Sequence, residues 1–505
     1  MNLHWIDQVV LCSYLIGIVV FGCYFSRHNT STRKFMDAGG RLAGWVVGLS
    51  IFGTYLSSIS FLGNPGASFD KNWNPFVFSL SLPLAAWIAC QWFVPFYRKN
   101  NQVSAYSHLG IRFGKWAKNY AILCFLLTQT VRIGAVLLLV AMAVHPLTGI
   151  GIPLIILVLG IAVILYTFFG GIEAVIWTDV VQSIVLTIGI LVAIVFIAIG
   201  MPNGPKQIFE IAWQDPENLK FSLGSFSNTL SEPTFWVILV FGLFINLQNF
   251  GIDQTYVQRY ATAVDEKAAK KSVWLACWLY LPVSALLFFV GTCLYGYYQA
   301  RPDLVPADFQ GDQAFAHYIS TQLPVGLVGL LIAAILAAAM SSVDSSLNSC
   351  ATLICIDIWP QFQSGKILSP DQIEQRDKRV LILSTVGIGL LGIGVGVFLN
   401  GTQSVLDAWW KLAGILSGGM LGLFILGLIT RDVRGRHALA GVCVGVIFII
   451  WMTLSPIFFA DSWFAFPWHA NLIIVLGTVA IIVLGVGISF LFSQANRIGF
   501  QPDDR

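Results

Sequence analysis

The chain of 505 residues is divided into a succession of strongly apolar runs, each about the length that crosses a lipid bilayer. A spanning helix needs about 20 mostly apolar residues. Thirteen such runs are found, and no stretch between them is long enough for a soluble domain: 6–25, 43–64, 76–97, 118–145, 151–169, 174–200, 233–260, 272–298, 322–357, 378–400, 404–429, 437–456 and 467–493. The sequence therefore predicts an all-α polytopic membrane protein with thirteen transmembrane helices.

Composition supports this class and argues against others. Hydrophobic residues make up 57% of the chain and charged residues only 10%, whereas a soluble domain carries about 25% charged residues. The formal net charge of +3 is small and gives no reason to expect nucleic acid as a partner. We expect the surroundings to be a lipid bilayer, and nothing in the sequence indicates an obligate protein partner.

The basic residues fall mainly on one side of the predicted spans. Most of the 28 lysines and arginines, Arg259 among them, are assigned to loops on that side, and the other side holds only Lys71, Lys206, Lys220 and Arg301. Cationic loops stay in the cytoplasm. The chain is therefore predicted to lie in the plasma (inner) membrane with its N-terminus outside and its C-terminus in the cytoplasm.

Two cations remain inside predicted spans, Arg132 and Lys411. Lys411 lies about two turns into its helix and can extend toward the membrane surface. Arg132 lies near the middle of 118–145, where a charge costs several kcal/mol unless it faces a wet cavity or a partner. Its planar guanidinium matches a carboxylate in two parallel hydrogen bonds. The alternative is a structural Arg132 that pairs with Asp253 or with a free carbonyl.

The stretch AAAMSSVDSSLNS (337–349) places hydroxyls and an aspartate in the middle of a long apolar run. Helical spacing aligns five of its small and hydroxyl residues on one stripe: Ala338, Ser341, Ser342, Ser345 and Ser349. Hydroxyls and a carboxylate that converge in a dry bundle can replace the hydration shell of a hard cation. Alternatively, the small residues only permit close helix packing, with each hydroxyl bonded back to its own backbone.

Two other spans contain residues that interrupt a helix. SIFGTYLSSISFLGNPG (50–66) combines glycine, hydroxyls and proline, and INLQNFGIDQTYVQRY (245–260) is rich in amides around Gly251. Unwound backbone at membrane depth is tolerated where it lines a cavity, and its freed carbonyls can bind ions. These spans are the second and the seventh, so their spacing indicates a 5+5 inverted repeat with a site between the halves. The alternative is a kink without a site.

The interrupted spans also suggest how the chain is organised. We predict a single transporter domain over 1–505, with an extra N-terminal helix and loop at 1–42. The first repeat covers 43–200, the second repeat covers 233–429, and two C-terminal helices lie at 437–493.

FGGIEAVIWTDVVQ (169–182) links two spans through Gly170 and Gly171 and then brings Asp179 into the membrane. Asp179 either lies at the interface in contact with water or supplies a counter-charge for a cation held near Ser341 and Ser345. If Asp344 is close, the two carboxylates either share a cation or one holds a proton when no cation is bound.

Enzyme motifs find no support. GIGLLG (387–392) matches a dinucleotide-binding pattern, but it lies inside an apolar span with no strand before it. The sequence contains no GxxxxGK[ST] and no HExxH motif. A single polar cluster also favours a carrier over a channel, whose pore usually has repeated rings of charge or carbonyls.

On the stretches GGIEAVIWTDVVQ, LSIFGTYLSSISF, AAAMSSVDSSLNS and QNFGIDQTYVQRY, the chain resembles the sodium:solute symporters over nearly its whole length. This resemblance implies a leucine-transporter-like fold and Na⁺ as the coupled ion. It also implies a first sodium site formed by the carbonyls of Gly53, Leu56 and Ala338 and the hydroxyls of Ser341 and Ser342.

Within the family, the sequence looks most similar to the bacterial sialic acid symporters, which share the mid-span arginine, here Arg132, and hydroxyls matching Ser57 and Ser60. That similarity implies a second sodium site at Asp179, Ser341, Asp344 and Ser345. Asp344 stands where that group has serine, and Tyr55, Pro75 and Ser79 stand where it has threonine, phenylalanine and glutamine. The candidate substrate residues are Tyr55, Ser57, Ser58, Ser60, Ser79, Arg132, Asn246 and Gln248.

The resulting hypothesis is a sodium-coupled symporter, not an enzyme, that imports a small organic solute by alternating access. The expected solute is a carboxylate-bearing sugar such as sialic acid. The alternative within the same class is a neutral sugar or polyol. Alternatives of another class are a proton-coupled carrier, a solute sensor that has lost transport, and an intramembrane enzyme.

Overall fold

The computed structural model describes residues 3–27, 31–100, 102–215, 219–305, 311–362, 369–401, 405–460 and 462–498, and within these ranges the regular structure is helical. An isolated parallel bridge joins Leu42 to Ala263. Ten helices of the described chain are long and apolar enough to cross a membrane, and one bent pair of helices adds an eleventh crossing. The expectation of an all-α polytopic fold is confirmed.

The first half of the described chain contains eleven α-helices: α1 Trp5–Tyr24, α2 Thr32–Asp37, α3 Gly44–Tyr55, α4 Ser58–Asp70, α5 Val77–Leu80, α6 Leu82–Ile88, α7 Val94–Lys99, α8 Ser107–Phe113, α9 Lys115–Thr148, α10 Ile152–Ile199 and α11 Lys206–Gln214. The second half contains nine: α12 Phe235–Ile252, α13 Gln254–Thr262, α14 Glu266–Ala300, α15 Gly311–Gln322, α16 Leu327–Leu353, α17 Pro370–Phe398, α18 Val405–Ile429, α19 Gly435–Phe458 and α20 Leu472–Ile498. The short helices α11 and α15 lie in links between the predicted apolar runs.

Both interrupted spans are broken where the sequence predicts it. The second span bends by 55° between α3 and α4, because Leu56 and Ser57 leave the helical conformation. The seventh span breaks between α12 and α13 at Asp253, whose backbone is extended. The Asp253 carboxylate then accepts the Thr255 amide at 2.8 Å and caps the new helix.

Helix α10 is 48 residues long and changes direction at Gly171 (φ 60°, ψ −155°). A straight helix of that length would extend about 72 Å, more than twice the hydrocarbon thickness of a bilayer. This backbone conformation is essentially restricted to glycine, and a Cβ at Gly171 would lie 2.9 Å from the Phe35 carbonyl. The tight connection predicted at Gly170 and Gly171 is therefore present.

Helix α16 carries the serine-rich stretch and is the most enclosed of the apolar helices in the described chain. In its apolar segment, 83% of the residues are buried. It packs most extensively on α10, and small residues bring the two helices together. A Cβ at Gly189 of α10 would lie 2.8 Å from the Ala334 Cβ. At its N-terminal end, the Asp7 carboxylate of α1 accepts the Gly326 and Gly329 amides at 2.7 and 2.8 Å. These contacts hold the serine-rich stretch in the centre of the bundle.

Candidate functional site

The end of α3 packs directly against the serine-rich stretch of α16. A Cβ at Gly53 would lie 2.6 Å from the Ser183 hydroxyl and 3.2 Å from the Ser341 hydroxyl, so this close approach requires glycine. One residue further, the Thr54 and Ser345 hydroxyls lie 3.1 Å apart. The structure thus brings Gly53 and Ser341 of the expected first sodium site together. Leu56 and Ala338 are fully buried nearby in the chain.

Asp179 lies at the centre of a buried polar cluster. Its carboxylate accepts the Ser50 and Ser341 hydroxyls at 2.5 Å each and a guanidinium nitrogen of Arg259 at 2.9 Å. Asp179 and Arg259 are both 0% exposed. Of the two interpretations made from the sequence, an interfacial and hydrated Asp179 is wrong, and the carboxylate does contact Ser341.

Arg259 is buried and does not lie in a cytoplasmic loop, contrary to the prediction from the sequence. The sequence assigns this arginine to the cytoplasmic loop cations, but it lies inside α13 with its side chain fully buried. Its Nε donates to Ser50 at 2.7 Å, one Nη donates to Ser345 at 2.6 Å, and the other donates to the Thr255 carbonyl. Burial of a charge at this depth requires such pairing.

Asp344 lies on the other side of the cluster. Its carboxylate accepts the Tyr166 hydroxyl at 2.7 Å, the Thr178 hydroxyl at 3.4 Å and the Ser345 hydroxyl at 3.3 Å. It is 0% exposed and forms no ion pair with any residue in the described part of the chain. Two carboxylates and one guanidinium therefore share this site, and with both carboxylates ionised one negative charge has no counter-charge among the described residues.

The serines of α16 differ in how their hydroxyls are used. Ser342, Ser345 and Ser346 each donate to the carbonyl four residues earlier, at 3.3, 2.7 and 2.9 Å. Ser341 donates to Asp179 instead. The packing interpretation thus accounts for part of the stretch, but it does not account for Ser341 or for the buried Asp344.

A second polar region lies around Tyr55, at the break of the second span. The Tyr55 hydroxyl donates to the Asn246 side chain at 3.3 Å, and the Asn246 amide donates to Ser81 at 3.0 Å. The Tyr55 ring packs against three aromatic residues at centroid distances of 4.9 to 5.5 Å: Phe250, Tyr256 and Tyr280. Two expected substrate residues, Tyr55 and Asn246, are therefore in direct contact.

Ser79 and Ser60 belong to the same region through α14. The Ser79 and Ser284 hydroxyls lie 2.9 Å apart, and the Tyr280 hydroxyl lies beside Ser60, Ser79 and Ser284. Tyr280 and Ser284 were not identified from the sequence, because α14 has an ordinary apolar pattern that does not show which face is turned inward. The eighth span therefore contributes to the region together with the second, third and seventh.

Arg132 lies on α9 beside the aromatic residues around Tyr55. It is close enough to Asp253 and Tyr256 for its charge to act on both, yet it forms no hydrogen bond or ion pair with any residue that the structure describes. Asp253 is instead bonded to the Thr255 amide and, at 3.3 Å, to Gln129. The pairing of Arg132 with Asp253, considered as the structural alternative, is thus not formed.

The remaining expected substrate residues carry polar atoms without protein partners. The Ser58 hydroxyl and the Gln248 side-chain oxygen are buried and make no hydrogen bond within the described chain. Ser57 is buried at the start of α4 without capping it. No hydrogen bond joins Arg132 to Ser57 or Ser60 in the described structure. Buried polar atoms are normally satisfied, so these atoms are available to a ligand.

Comparison with known proteins extends over the whole chain. The sodium:solute symporter family model matches residues 35–445. The sodium/sialic acid symporter NanT of Aliivibrio fischeri is 32% identical over 95% of this chain and 92% of its own length. The sodium/sialic acid symporter SiaT of Proteus mirabilis is 31% identical over 100% of this chain and 99% of its own.

A solved structure is similar over the same extent. It is described as the substrate-bound outward-open state of a Na⁺-coupled sialic acid symporter, and it aligns with a TM-score of 0.88 at 29% identity. The alignment covers 97% of this chain and 98% of that one.

Proposed function

The chain belongs to the sodium:solute symporter family, and on that basis we propose that its solute is a carboxylate-bearing sugar of the class that includes sialic acid. It is a multi-pass membrane transporter, not an enzyme, and it uses Na⁺ as the coupled ion. The observation that carries the proposed substrate class is the unpaired guanidinium of Arg132 within the described structure.

A guanidinium in the membrane is costly unless an anion or a wet cavity compensates it. The N–H groups of Arg132 have no acceptor in the described structure, because Asp253 is bonded to other groups. Two of these N–H groups can therefore donate parallel hydrogen bonds to a substrate carboxylate. Tyr55, Asn246, Ser79 and Gln248 supply hydroxyl and amide groups for the rest of a polyhydroxylated molecule. Ser57, Ser58 and Ser60 supply further donors from the break of the second span.

The proposal is tested by a comparison of solutes. In sodium, sialic acid is expected to stabilise the purified protein in a thermal-shift assay and to be taken up into proteoliposomes along an inward sodium gradient. Glucose, galactose and a polyol should do neither. Stabilisation by a neutral sugar but by no carboxylate would favour the alternative substrate class, a neutral sugar or polyol. Undiminished uptake with choline in place of sodium would contradict sodium coupling.

For the first sodium ion we propose the carbonyls of Gly53, Leu56 and Ala338 with the hydroxyls of Ser341 and Ser342. For the second we propose Asp179, Ser341, Asp344 and Ser345. Hard cations prefer oxygen ligands of this kind, and the uncompensated negative charge at Asp179 and Asp344 supports a monovalent cation there. Two sodium ions with one carboxylate would make transport electrogenic, and a potential of 100 mV would add about 2.3 kcal/mol per charge.

Asp344→Ser is expected to lower the Hill coefficient for sodium activation of uptake while the protein still folds. The reason is that serine removes the charge that no cation of the described chain balances, whereas its hydroxyl can still bond to Tyr166 or Thr178. Sodium titration of uptake measures the effect, with Asp371→Ser as a control at an exposed position in the first turn of α17. An unchanged sodium curve would assign Asp344 to helix packing.

We further propose thirteen spans with a 5+5 inverted repeat, an external N-terminus and a cytoplasmic C-terminus in the inner membrane. The matching breaks in the second and seventh spans and the break of α10 at Gly171 support the repeat. The repeats would cover 43–200 and 233–429, with 1–42 before them and 437–493 after. Labelling of single cysteines in the loops with a membrane-impermeant thiol reagent tests the orientation.

A further inference from the structure

The guanidinium of Arg259 holds two groups that belong to the second sodium site proposed above. One Nη donates to the Asp179 carboxylate at 2.9 Å and to the Ser345 hydroxyl at 2.6 Å. Two further hydrogen bonds hold the guanidinium in place: its Nε donates to the Ser50 hydroxyl, and its other Nη donates to the Thr255 carbonyl. A permanent positive charge is thus built into the ion site by α13.

The charges around this site can be counted. Asp179 and Asp344 are both fully buried, and Arg259 is the cation that contacts the cluster in the described structure. Asp253 and Arg132 lie nearby with opposite charges but form no ion pair in the described structure, so together they add no net charge. With both carboxylates ionised, the cluster carries one net negative charge, which a single bound monovalent cation would neutralise.

From this charge balance, and resting on the proposed second sodium site, we propose that Arg259 determines the valence and the affinity of the ion accepted there. Its guanidinium cancels one of the two carboxylates and occupies an oxygen of Asp179 and the hydroxyl of Ser345. Sodium is then bound by one net charge, weakly enough to be released into the cytoplasm. Without Arg259, two carboxylates and several hydroxyls would form a site suited to a divalent cation such as calcium.

The first test is Arg259→Gln. Removal of a like charge from the immediate surroundings should lower the sodium concentration for half-maximal uptake by about tenfold. Calcium at about 1 mM, at the weak end of protein calcium sites, should inhibit sodium-driven sialic acid uptake by this variant and leave the unmodified protein unaffected. Arg259→Lys retains the charge and should remain insensitive to calcium. A purely structural arginine predicts reduced activity without calcium sensitivity, and that result would overturn the proposal.

A second series does not depend on the folding of Arg259→Gln alone. Asp344→Asn leaves Asp179 and Arg259, a site with no net charge, and should bind the second sodium ion more weakly. The double variant Asp344→Asn with Arg259→Gln returns the net charge to one negative and should recover sodium binding, measured by sodium-induced thermal stabilisation or by binding of radioactive sodium. If the double variant binds sodium no better than Asp344→Asn, the proposal is wrong.

Failure of the inference can be distinguished from failure of the proposed site. A sodium Hill coefficient near one for the unmodified protein would overturn the second sodium site itself, and the inference with it. A coefficient above one, together with calcium-insensitive Arg259→Gln, would overturn only the role of Arg259. As a control for loss of an arginine in general, Arg41→Gln removes a half-exposed partner of Glu173 and should change neither sodium affinity nor calcium sensitivity.

Discussion

Replacement of Asp179 with asparagine is expected to destabilise the folded protein by about 3–5 kcal/mol, the usual cost of removing one partner of a buried ion pair. The guanidinium of Arg259 would remain at 0% exposure with only neutral groups bonded to it. The Ser50 and Ser341 hydroxyls would also lose their charged acceptor. A fall in the apparent melting temperature of the purified protein in detergent measures this effect.

Two further variants separate the lost charge from a general loss of packing. The double variant Asp179→Asn with Arg259→Gln removes both charges and should regain much of the lost stability, since neutral replacement of a buried pair is often tolerated. Glu266→Gln breaks the pair with Lys270, in which both side chains are partly exposed, and should cost about 1 kcal/mol or less. Equal destabilisation by Asp179→Asn and by the double variant would contradict the argument.

Arg132→Lys is expected to weaken substrate binding by about 2 kcal/mol, or roughly thirtyfold. Lysine keeps the positive charge near Asp253, so the local charge balance is preserved. It loses the planar fork that can donate two parallel hydrogen bonds to a carboxylate. The concentration of sialic acid that gives half-maximal stabilisation in sodium measures the change.

Sodium binding provides the internal control for Arg132→Lys. Thermal stabilisation by sodium alone should be the same in the variant and in the unmodified protein, because Arg132 makes no hydrogen bond or ion pair with the serine-rich stretch in the described structure. Arg41→Lys, at a half-exposed position, serves as the matched arginine control. Unchanged sialic acid affinity in Arg132→Lys would show that the carboxylate is bound elsewhere.

The fold could be predicted from the sequence largely because hydropathy is a local property. Each long apolar run indicates by itself a segment surrounded by lipid or protein. Glycine, proline and hydroxyl residues inside a run indicate a broken helix, as found at Leu56 and Asp253. The ends of the runs were less well predicted. The second span, for example, continues to Asp70 and does not end near residue 64, because a polar end of a helix can extend beyond the apolar region.

The site was predicted only where the sequence itself is unusual. Asp344, Ser341 and Arg132 are polar groups in apolar surroundings, and that contrast marks them. Arg259 could not be recognised in the same way, because it lies at the end of the predicted span 233–260, where a basic residue is expected to face the cytoplasm. Its partner Asp179 lies 80 residues earlier in the chain, so the residues around Arg259 do not predict this ion pair. Tyr280 and Ser284 were missed because the pattern of α14 does not specify its inward face.

The contact between α1 and α16 gives the first helix a role that its peripheral position does not suggest. The N-cap residue of α16 is Gly326, which has no side chain to accept the free amides of the first turn. Asp7 supplies that acceptor from another part of the chain. The first helix therefore caps the serine-bearing helix. Loss of the Asp7 contact would leave the first turn of α16 with unsatisfied amides, and the helix that carries the proposed cation ligands would be less firmly held at that end.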